Sequence, residues 1–177
     1  MNMQVKNLNL GYFNHVAAAT HPNKTALIDL SREQDHVVTH GELDYRMDSV
    51  ATLLFKSGML AGDRLLLAMS NRFEFIEIFF GAMRAGVIPT PLNIKLGADT
   101  INFIIKDSGC TGAIIEPGCN PQLVDVVMQH NLATLIAIDR APPGWTNYEE
   151  SLKAANPDSF SPPRIEPEQI AFLPYTS

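Results

Sequence analysis

The chain has 177 residues, of which 46% are hydrophobic and 18% charged, a composition typical of a globular protein rather than a disordered one. Its net charge of −6 argues against nucleic acid or an anionic membrane as the main partner, because phosphate binding needs a basic face. Two cysteines are too few for a disulfide framework and no apolar run is long enough to span a membrane, which together predict a cytoplasmic protein.

Short β-rich runs alternate with helical stretches, which predicts an α/β fold: a mostly parallel sheet flanked by helices on both faces. A leading helix over residues 10–20 and a short hairpin of strands 26–29 and 36–38 come first. Thr39 and Glu42 then have the spacing of a capping box, which predicts a helix through Lys56. The later strands are predicted at residues 64–69, 87–92, 113–116, 134–138 and 170–173. Pro89 and Pro91 assign the second of these to an edge of the sheet, because proline lacks the backbone N–H that a ladder needs.

The remaining helices are predicted from cap signals and apolar periodicity. Asn71 and Glu74 repeat the cap spacing before a helix that ends at Gly86. The buried stripe of that helix is predicted to be Phe75, Ile76, Phe79, Phe80 and Met83. The other helices are predicted at residues 98–106, at 121–129 with Asn120 as cap, and at 146–155 with Thr146 as cap.

The domain organisation is predicted to be one α/β domain over residues 1–177, with a proline-rich loop at 156–168 before the last strand. The chain stops one step beyond that strand, at the kind of loop where α/β sheets bind ligands. We therefore expect the sequence to be a piece of a longer protein, cut by design or by a protease at a flexible loop.

Three segments in a fixed order carry a resemblance to a known family. They are residues 38–43 (VTHGEL) followed by 62–67 (GDRLLL), residues 75–93 (FIEIFFGAMRAGVIPTPLN), and residues 171–177 (AFLPYTS). Together they resemble the start of the adenylate-forming (AMP-binding) enzymes, which include acyl- and aryl-CoA synthetases, luciferases and peptide-synthetase adenylation domains. The resemblance extends from about residue 10 to the last residue, and the pair Leu92-Asn93 favours the acyl- or aryl-CoA synthetases over the peptide synthetases.

The resemblance implies an ATP-dependent carboxylate–CoA ligase that forms AMP, with ATP, Mg²⁺ and coenzyme A used by the parent enzyme. The terminal segment is similar to the beginning of the family's phosphate-binding loop, so Thr176 and Ser177 are the nucleotide-binding candidates. The family's catalytic and metal-binding residues lie downstream and have no match here, so this piece alone is expected to be inactive and to bind no cofactor tightly. The acid that is activated, and whether the acceptor is coenzyme A or a carrier-protein thiol, stay open.

Other interpretations are weaker on the residues themselves. A stand-alone, non-catalytic α/β binding module is the main alternative, although it leaves the terminal Tyr-Thr-Ser unexplained. His36 and His40 are spaced like metal ligands but lack a nearby third ligand, so a zinc site is disfavoured. Cys110 is predicted to be a buried thiol, and the acidic residues are predicted to be solvated or capping rather than catalytic. Those acidic residues are Asp29, Asp35, Glu74 and Glu77.

The partners implied by the resemblance are a small-molecule carboxylate and a nucleotide. The face that would meet the rest of the parent enzyme is expected to expose apolar surface, which predicts a homo-oligomer of the isolated chain.

Overall fold

The computed structural model describes residues 9–32 and 34–176, whose strands form a two-stranded sheet and a five-stranded sheet. The strands are β1 (Thr25–Asp29), β2 (His36–Thr39), β3 (Arg64–Ala68), β4 (Ile88–Pro91), β5 (Gly112–Ile115), β6 (Thr134–Ala137) and β7 (Thr146–Asn147). The helices are α1 (His15–Thr20), α2 (His40–Lys56), α3 (Phe73–Arg84), α4 (Ala98–Ser108), α5 (Leu123–Met128) and α6 (Tyr148–Ala154). Single 3₁₀ turns occupy Leu10–Tyr12, Pro117–Cys119 and Pro157–Ser159.

The larger sheet is parallel throughout, in the order β4-β3-β5-β6-β7, and the predicted α/β class is confirmed. Successive residues of β3 point to opposite faces, as the pleat of a strand requires. Leu65 and Leu67 pack with α2, α3 and α6 on one face, whereas Leu66 and Ala68 pack with α4 and α5 on the other. Both faces are therefore covered by helices, and the predicted hairpin of β1 and β2 is antiparallel.

Capping residues, prolines and glycines correctly predict the positions of several helices and strands to within one or two residues. Thr39 caps α2 as predicted, because its side chain accepts a hydrogen bond from the Glu42 backbone N–H at 3.2 Å. The apolar residues of α2 that follow the helical period are buried, and they are Leu43, Met47, Val50, Ala51 and Leu54. Strand β4 lies at an edge of the sheet, as its prolines indicate. Gly109 ends α4 in the left-handed conformation (φ 60°), which explains a glycine between that helix and β5.

The predicted starts of four helices are wrong in detail. The leading helix is divided into the 3₁₀ turn Leu10–Tyr12 and α1. Arg72, not Asn71, is the N-cap of α3, and its side chain makes no capping bond; the Asp29 carboxylate accepts from the Phe73 N–H at 3.3 Å instead. Helix α5 begins after a turn that Asn120 stabilises, and Asn147 rather than Thr146 caps α6.

The buried face of α3 also differs from the prediction. Phe75, Ile76, Phe79 and Phe80 are only half-buried, although Met83 is buried as predicted. The fully buried positions include three charged residues, Glu74, Glu77 and Arg84. The expectation that Glu74 and Glu77 are solvated or capping is therefore wrong, and ion pairs with arginines outside α3 explain their burial.

The predicted strand at residues 170–173 does not form, and this segment has no regular secondary structure. Its backbone still contacts the sheet, because the Leu173 N–H donates to the Pro89 carbonyl at 3.0 Å. Within residues 9–32 and 34–176, no helix has the length and apolar character needed to cross a membrane.

Candidate functional site

A network of charged side chains lies at the carboxyl ends of β3, β5 and β6. Arg72 follows β3, and its guanidinium donates to Asp139 after β6 at 2.8 and 3.1 Å and to Glu116 after β5 at 3.3 Å. Ser70 donates to Glu116 through both its backbone N–H (2.8 Å) and its hydroxyl (2.6 Å). The three loops are thus joined at the edge where α/β sheets usually bind ligands.

The network continues to the hairpin through Glu74. Both oxygens of this buried carboxylate accept from Arg72, at 2.8 and 2.9 Å, and Oε1 also accepts from Arg32 at 2.7 Å. Asp29 accepts from the Ser31 backbone N–H and hydroxyl, at 2.9 and 2.6 Å. Its other oxygen accepts from the Phe73 N–H, so Asp29, expected to be solvated or capping, is a buried residue that caps α3 and joins the hairpin to it.

The electrostatics of this network favour its charged form. Hydrogen bonds from Arg72 outweigh burial and lower the pKa of Asp139 below its ordinary value. Burial alone would raise the pKa of Asp29, but the hydrogen bonds from Ser31 and Phe73 outweigh it and lower that pKa as well. The Nε and both Nη atoms of Arg72 donate to carboxylates, so this arginine stabilises the loops and is occupied by protein acceptors.

Topology explains why the network lies where it does. Strand β3 has β4 on one side and β5 on the other, so the loops after β3 and β5 lead to helices on opposite faces of the sheet. Such a switch point opens a crevice in doubly wound sheets. Here the Glu116 carboxylate accepts the Ser70 N–H and joins the loops after β3 and β5.

Two clefts lie along this edge: one of about 710 Å³ at the ends of β5 and β6, and one of about 420 Å³ beside the end of β4, here called the edge cleft. The lining residues of the edge cleft come from the β4–α4 loop, from α4 and from the terminal segment, and they are Asn93, Leu96, Thr100, Phe103, Ile104, Tyr175 and Thr176. Of the two predicted nucleotide-binding residues, Thr176 lines this cleft, whereas Ser177 lies outside the described residues. The cleft combines an apolar wall with the Asn93 amide and the Thr100 and Thr176 hydroxyls, a lining suited to a polar group attached to a larger molecule.

A second buried network links α3 to α2 and α6. The Arg46 guanidinium donates to both oxygens of Glu77, at 2.5 and 2.7 Å, and to Glu149 at 2.5 Å. The Tyr148 hydroxyl donates to Glu77 Oε1 at 2.5 Å. Glu77 is fully buried and does not line the edge cleft, and these contacts assign it to holding three helices together.

His36 and His40, the pair for which the sequence disfavours a zinc site, both have contacts with other residues and do not line the edge cleft. The His36 ring packs on Phe73 at 4.7 Å, whereas His40 Nδ1 lies 2.5 Å from the Asn14 side-chain oxygen. Across residues 9–32 and 34–176, no group of three or more His, Cys, Asp or Glu side chains could hold a metal ion. Cys110 is buried as predicted, and burial raises the pKa of its thiol.

Sequence reasoning missed Arg72, Glu116 and Asp139. Each follows a correctly predicted strand by one to four residues, and the carboxyl ends of parallel strands meet at one edge of a sheet. That shared position was the available signal. No single loop has a composition that would predict these contacts by itself.

Comparison with known proteins places this chain in a family. A family model described as AMP-binding enzyme matches residues 14–177. The long-chain-fatty-acid–CoA ligase FadD13 of Mycobacterium tuberculosis is 32% identical over 175 residues, which are 96% of this chain and 32% of that protein. The 3-hydroxybenzoate–CoA ligase of Aromatoleum sp. is 25% identical over 140 residues, 79% of this chain and 27% of the relative.

A solved structure has the same fold. The crystal structure of a benzoate CoA ligase from Burkholderia xenovorans superposes with a TM-score of 0.80 and 25% identity, covering 93% of this chain and 32% of the other. The chain spans between 27% and 32% of the length of these relatives. The family match covers nearly the whole sequence, including the segment that ends in the edge cleft. The chain therefore belongs to the family of AMP-binding enzymes.

Proposed function

We propose that the chain is the N-terminal part of an ATP-dependent acyl- or aryl-CoA synthetase of the cytoplasm. The observation that carries the proposal is the family match over residues 14–177, which ends in the segment that brings Thr176 to the edge cleft. Relatives named for fatty acids and for hydroxybenzoates support the ligase class and leave the acid open. The residues up to 177 form one α/β domain that packs against the rest of the enzyme.

The proposed reaction has two halves. A carboxylate oxygen of the substrate attacks the α-phosphorus of ATP, and the bond to pyrophosphate breaks to give an acyl-adenylate. The thiol of coenzyme A then attacks the acyl carbonyl, loses its proton and displaces AMP, which leaves a thioester. The contribution of this chain is to the first half, where the hydroxyls of Thr176 and Ser177 donate to phosphate oxygens of ATP as charge moves onto them.

The reaction also uses Mg²⁺ in the proposed parent enzyme, where the metal neutralises phosphate charge. The described residues do not fit a site for it, because they contain no suitable group of acidic or histidine side chains. We therefore assign no metal ligand within residues 9–32 and 34–176. Because the resemblance places the family's other nucleotide-binding residues downstream of residue 177, the isolated chain is expected to bind neither ATP nor Mg²⁺ tightly.

The test is carboxylate-dependent exchange of pyrophosphate into ATP by the full-length gene product, with benzoates and long-chain fatty acids as substrates. Exchange that depends on one class of carboxylate supports the proposal and identifies the acid. The alternative, a stand-alone binding module, predicts no exchange, and it also predicts tight binding of ATP·Mg²⁺ to the isolated chain in a calorimetric titration.

Replacing Thr176 by valine is expected to raise the KM for ATP about tenfold in the full-length protein, because one hydrogen bond to a charged phosphate is lost at constant side-chain shape. The measurement is the same exchange assay with ATP varied. Thr20→Val, an exposed threonine at the end of α1 and outside the cleft, is the matched control and should change the KM less than twofold. Equal effects of the two variants would contradict the assignment of Thr176.

The isolated chain is also proposed to self-associate through an aromatic surface formed by Phe13, Phe75, Phe79, Phe80 and Phe172. The rings contact one another at centroid distances between 4.2 and 5.7 Å, yet Phe13 and Phe172 are 55% and 43% exposed. Light scattering at increasing concentration should show a dimer or larger assembly, and Phe172→Ser should shift it towards monomer. Leu60→Ser, which removes an exposed apolar side chain elsewhere, should not; a monomer at all concentrations contradicts the proposal.

A further inference from the structure

The terminal segment, residues 170–176, lies along an edge strand that can accept hydrogen bonds but not donate them. The backbone N–H groups of Ile88 and Leu92 donate to Asp63 and Leu67, so these alternate residues of β4 face β3. Pro89 and Pro91 therefore face outward, and proline has no N–H. The only backbone partners that β4 offers to the terminal segment are carbonyl oxygens, of which Pro89 accepts from Leu173 at 3.0 Å.

Because β4 offers only acceptors at this edge, the terminal segment does not form a regular strand beside it. The same lack of donors affects where the segment lies along the edge. A regular ladder fixes the register of two strands by hydrogen bonds in both directions. A segment held by a single type of backbone bond can slide along the edge, so its register depends on side-chain contacts.

Two side chains of the segment supply such contacts, on opposite faces of the sheet. Phe172 packs against Phe79 of α3 on one face, at a centroid distance of 5.5 Å. Tyr175 packs into the cluster on the other face, and its hydroxyl donates to Asp107 Oδ2 of α4 at 2.7 Å. Of these two contacts, only the Tyr175–Asp107 bond is directional, and it is made by the residue next to Thr176.

The surroundings of Asp107 and Tyr175 both support a specific role for the hydrogen bond between them. Asp107 lies in the last turn of α4, where the helix dipole disfavours a negative charge, so intrinsic helix stability does not explain a carboxylate there. Burial and the hydrogen bond to Asp107 together raise the pKa of Tyr175 to about 12, which keeps the phenol protonated and able to donate at physiological pH.

We propose that Asp107 is a positioning residue for nucleotide binding: through its hydrogen bond to Tyr175 it sets the register of the terminal segment and thereby the placement of Thr176 in the edge cleft. This inference rests on the proposed function for the role of Thr176. The register itself depends only on the contacts described above.

The first experiment measures amide hydrogen exchange at Leu173 in this chain. Asp107→Ala and Tyr175→Phe should each reduce protection of that amide about tenfold, the effect of losing one hydrogen bond to a charged group. Asp107→Asn keeps an oxygen acceptor and should restore part of the protection. Asp125→Asn, an exposed acidic position on α5, is the control and should leave Leu173 unchanged.

The second experiment measures pyrophosphate exchange by the full-length protein. Asp107→Ala and Tyr175→Phe should each raise the KM for ATP about tenfold, leave the KM for the carboxylate within twofold, and show no further effect when combined, because both remove the same bond. A normal KM for ATP in an active Asp107→Ala variant would overturn the inference. If the unaltered protein shows no exchange, the proposed function fails instead, and unchanged protection of Leu173 in Asp107→Ala would separately overturn the register argument.

Discussion

Replacing Arg84 by methionine is expected to lower the free energy of unfolding by about 3–5 kcal/mol, the usual result of removing one partner from a buried ionic cluster. The Arg84 side chain is fully buried, and its guanidinium donates to Asp44 Oδ1 at 2.5 Å, to Asp48 Oδ1 at 2.8 Å and to the Gly11 carbonyl at 2.8 Å. It also lies 4.5 Å from the centre of the Tyr12 ring. Methionine fills a similar volume but leaves these acceptors without their donor.

The measurement is urea denaturation followed by circular dichroism, with the linear slope compared between variants. Arg164→Met is the matched control: Arg164 is 80% exposed on the side chain and pairs with Glu166, so its loss should change stability by less than about 1 kcal/mol. Arg84→Lys keeps the charge but not the forked geometry and should fall between the two. A loss below about 1 kcal/mol for Arg84→Met would show that the cluster is compensated by water.

The role of Arg84 also shows where sequence patterns stop being informative. Helix α3 is apolar on most of its surface, so periodicity alone assigns the aromatic side chains to the core. Three charged residues occupy the buried face instead, because their partners come from α2, α6, the hairpin and the residues around Gly11. Such partners are distant in sequence, so the residues of α3 alone do not predict them.

Helices and strands that are determined by residues close together in the sequence were predictable. The Thr39 side chain and the Glu42 N–H fix the start of α2 within four residues of chain, and β3 is recognisable as a run of consecutive apolar residues because both of its faces are buried. The segment at residues 170–173 has the same apolar character but no strand, since its neighbour is the proline edge of β4. The candidate site divides in the same way: the motif predicts Thr176, whereas the positions of Asn93, Asp107 and Tyr175 depend on the packing of β4, α4 and the terminal segment.

Replacing Arg46 by methionine is expected to lower the free energy of unfolding by about 3–5 kcal/mol at pH 7 and by clearly less at pH 5. The variant leaves the Glu77 carboxylate fully buried with the Tyr148 hydroxyl as its remaining partner from the network, at 2.5 Å. Burial raises the pKa of Glu77, and in the native protein the hydrogen bonds from Arg46 oppose that rise. Without Arg46, the carboxyl is expected to take up a proton in preference to remaining a buried charge.

The sign of the pH dependence follows from linkage. In the variant, the folded-state pKa of Glu77 lies above its ordinary value of 4.5, so the folded state binds the proton more tightly than the unfolded state does. The protonated form is favoured below that folded-state pKa, and stability is lost as the pH rises through it, by up to about 1.4 kcal/mol for each unit of separation between the two pKa values. The stability deficit relative to the native protein should therefore shrink on acidification from pH 7 to pH 5.

A second substitution separates the charge from the packing. Arg46→Met combined with Glu77→Gln removes the titrating group and keeps a side chain of the same shape, so its urea midpoint should vary with pH no more than that of the native protein. It should also be more stable at pH 7 than Arg46→Met alone, because an amide is less costly to bury than an unpaired carboxylate. If the single variant were equally destabilised at pH 5 and pH 7, Glu77 would have found another cation or water, and the assignment of Arg46 as the group that keeps this buried carboxylate ionised would be wrong.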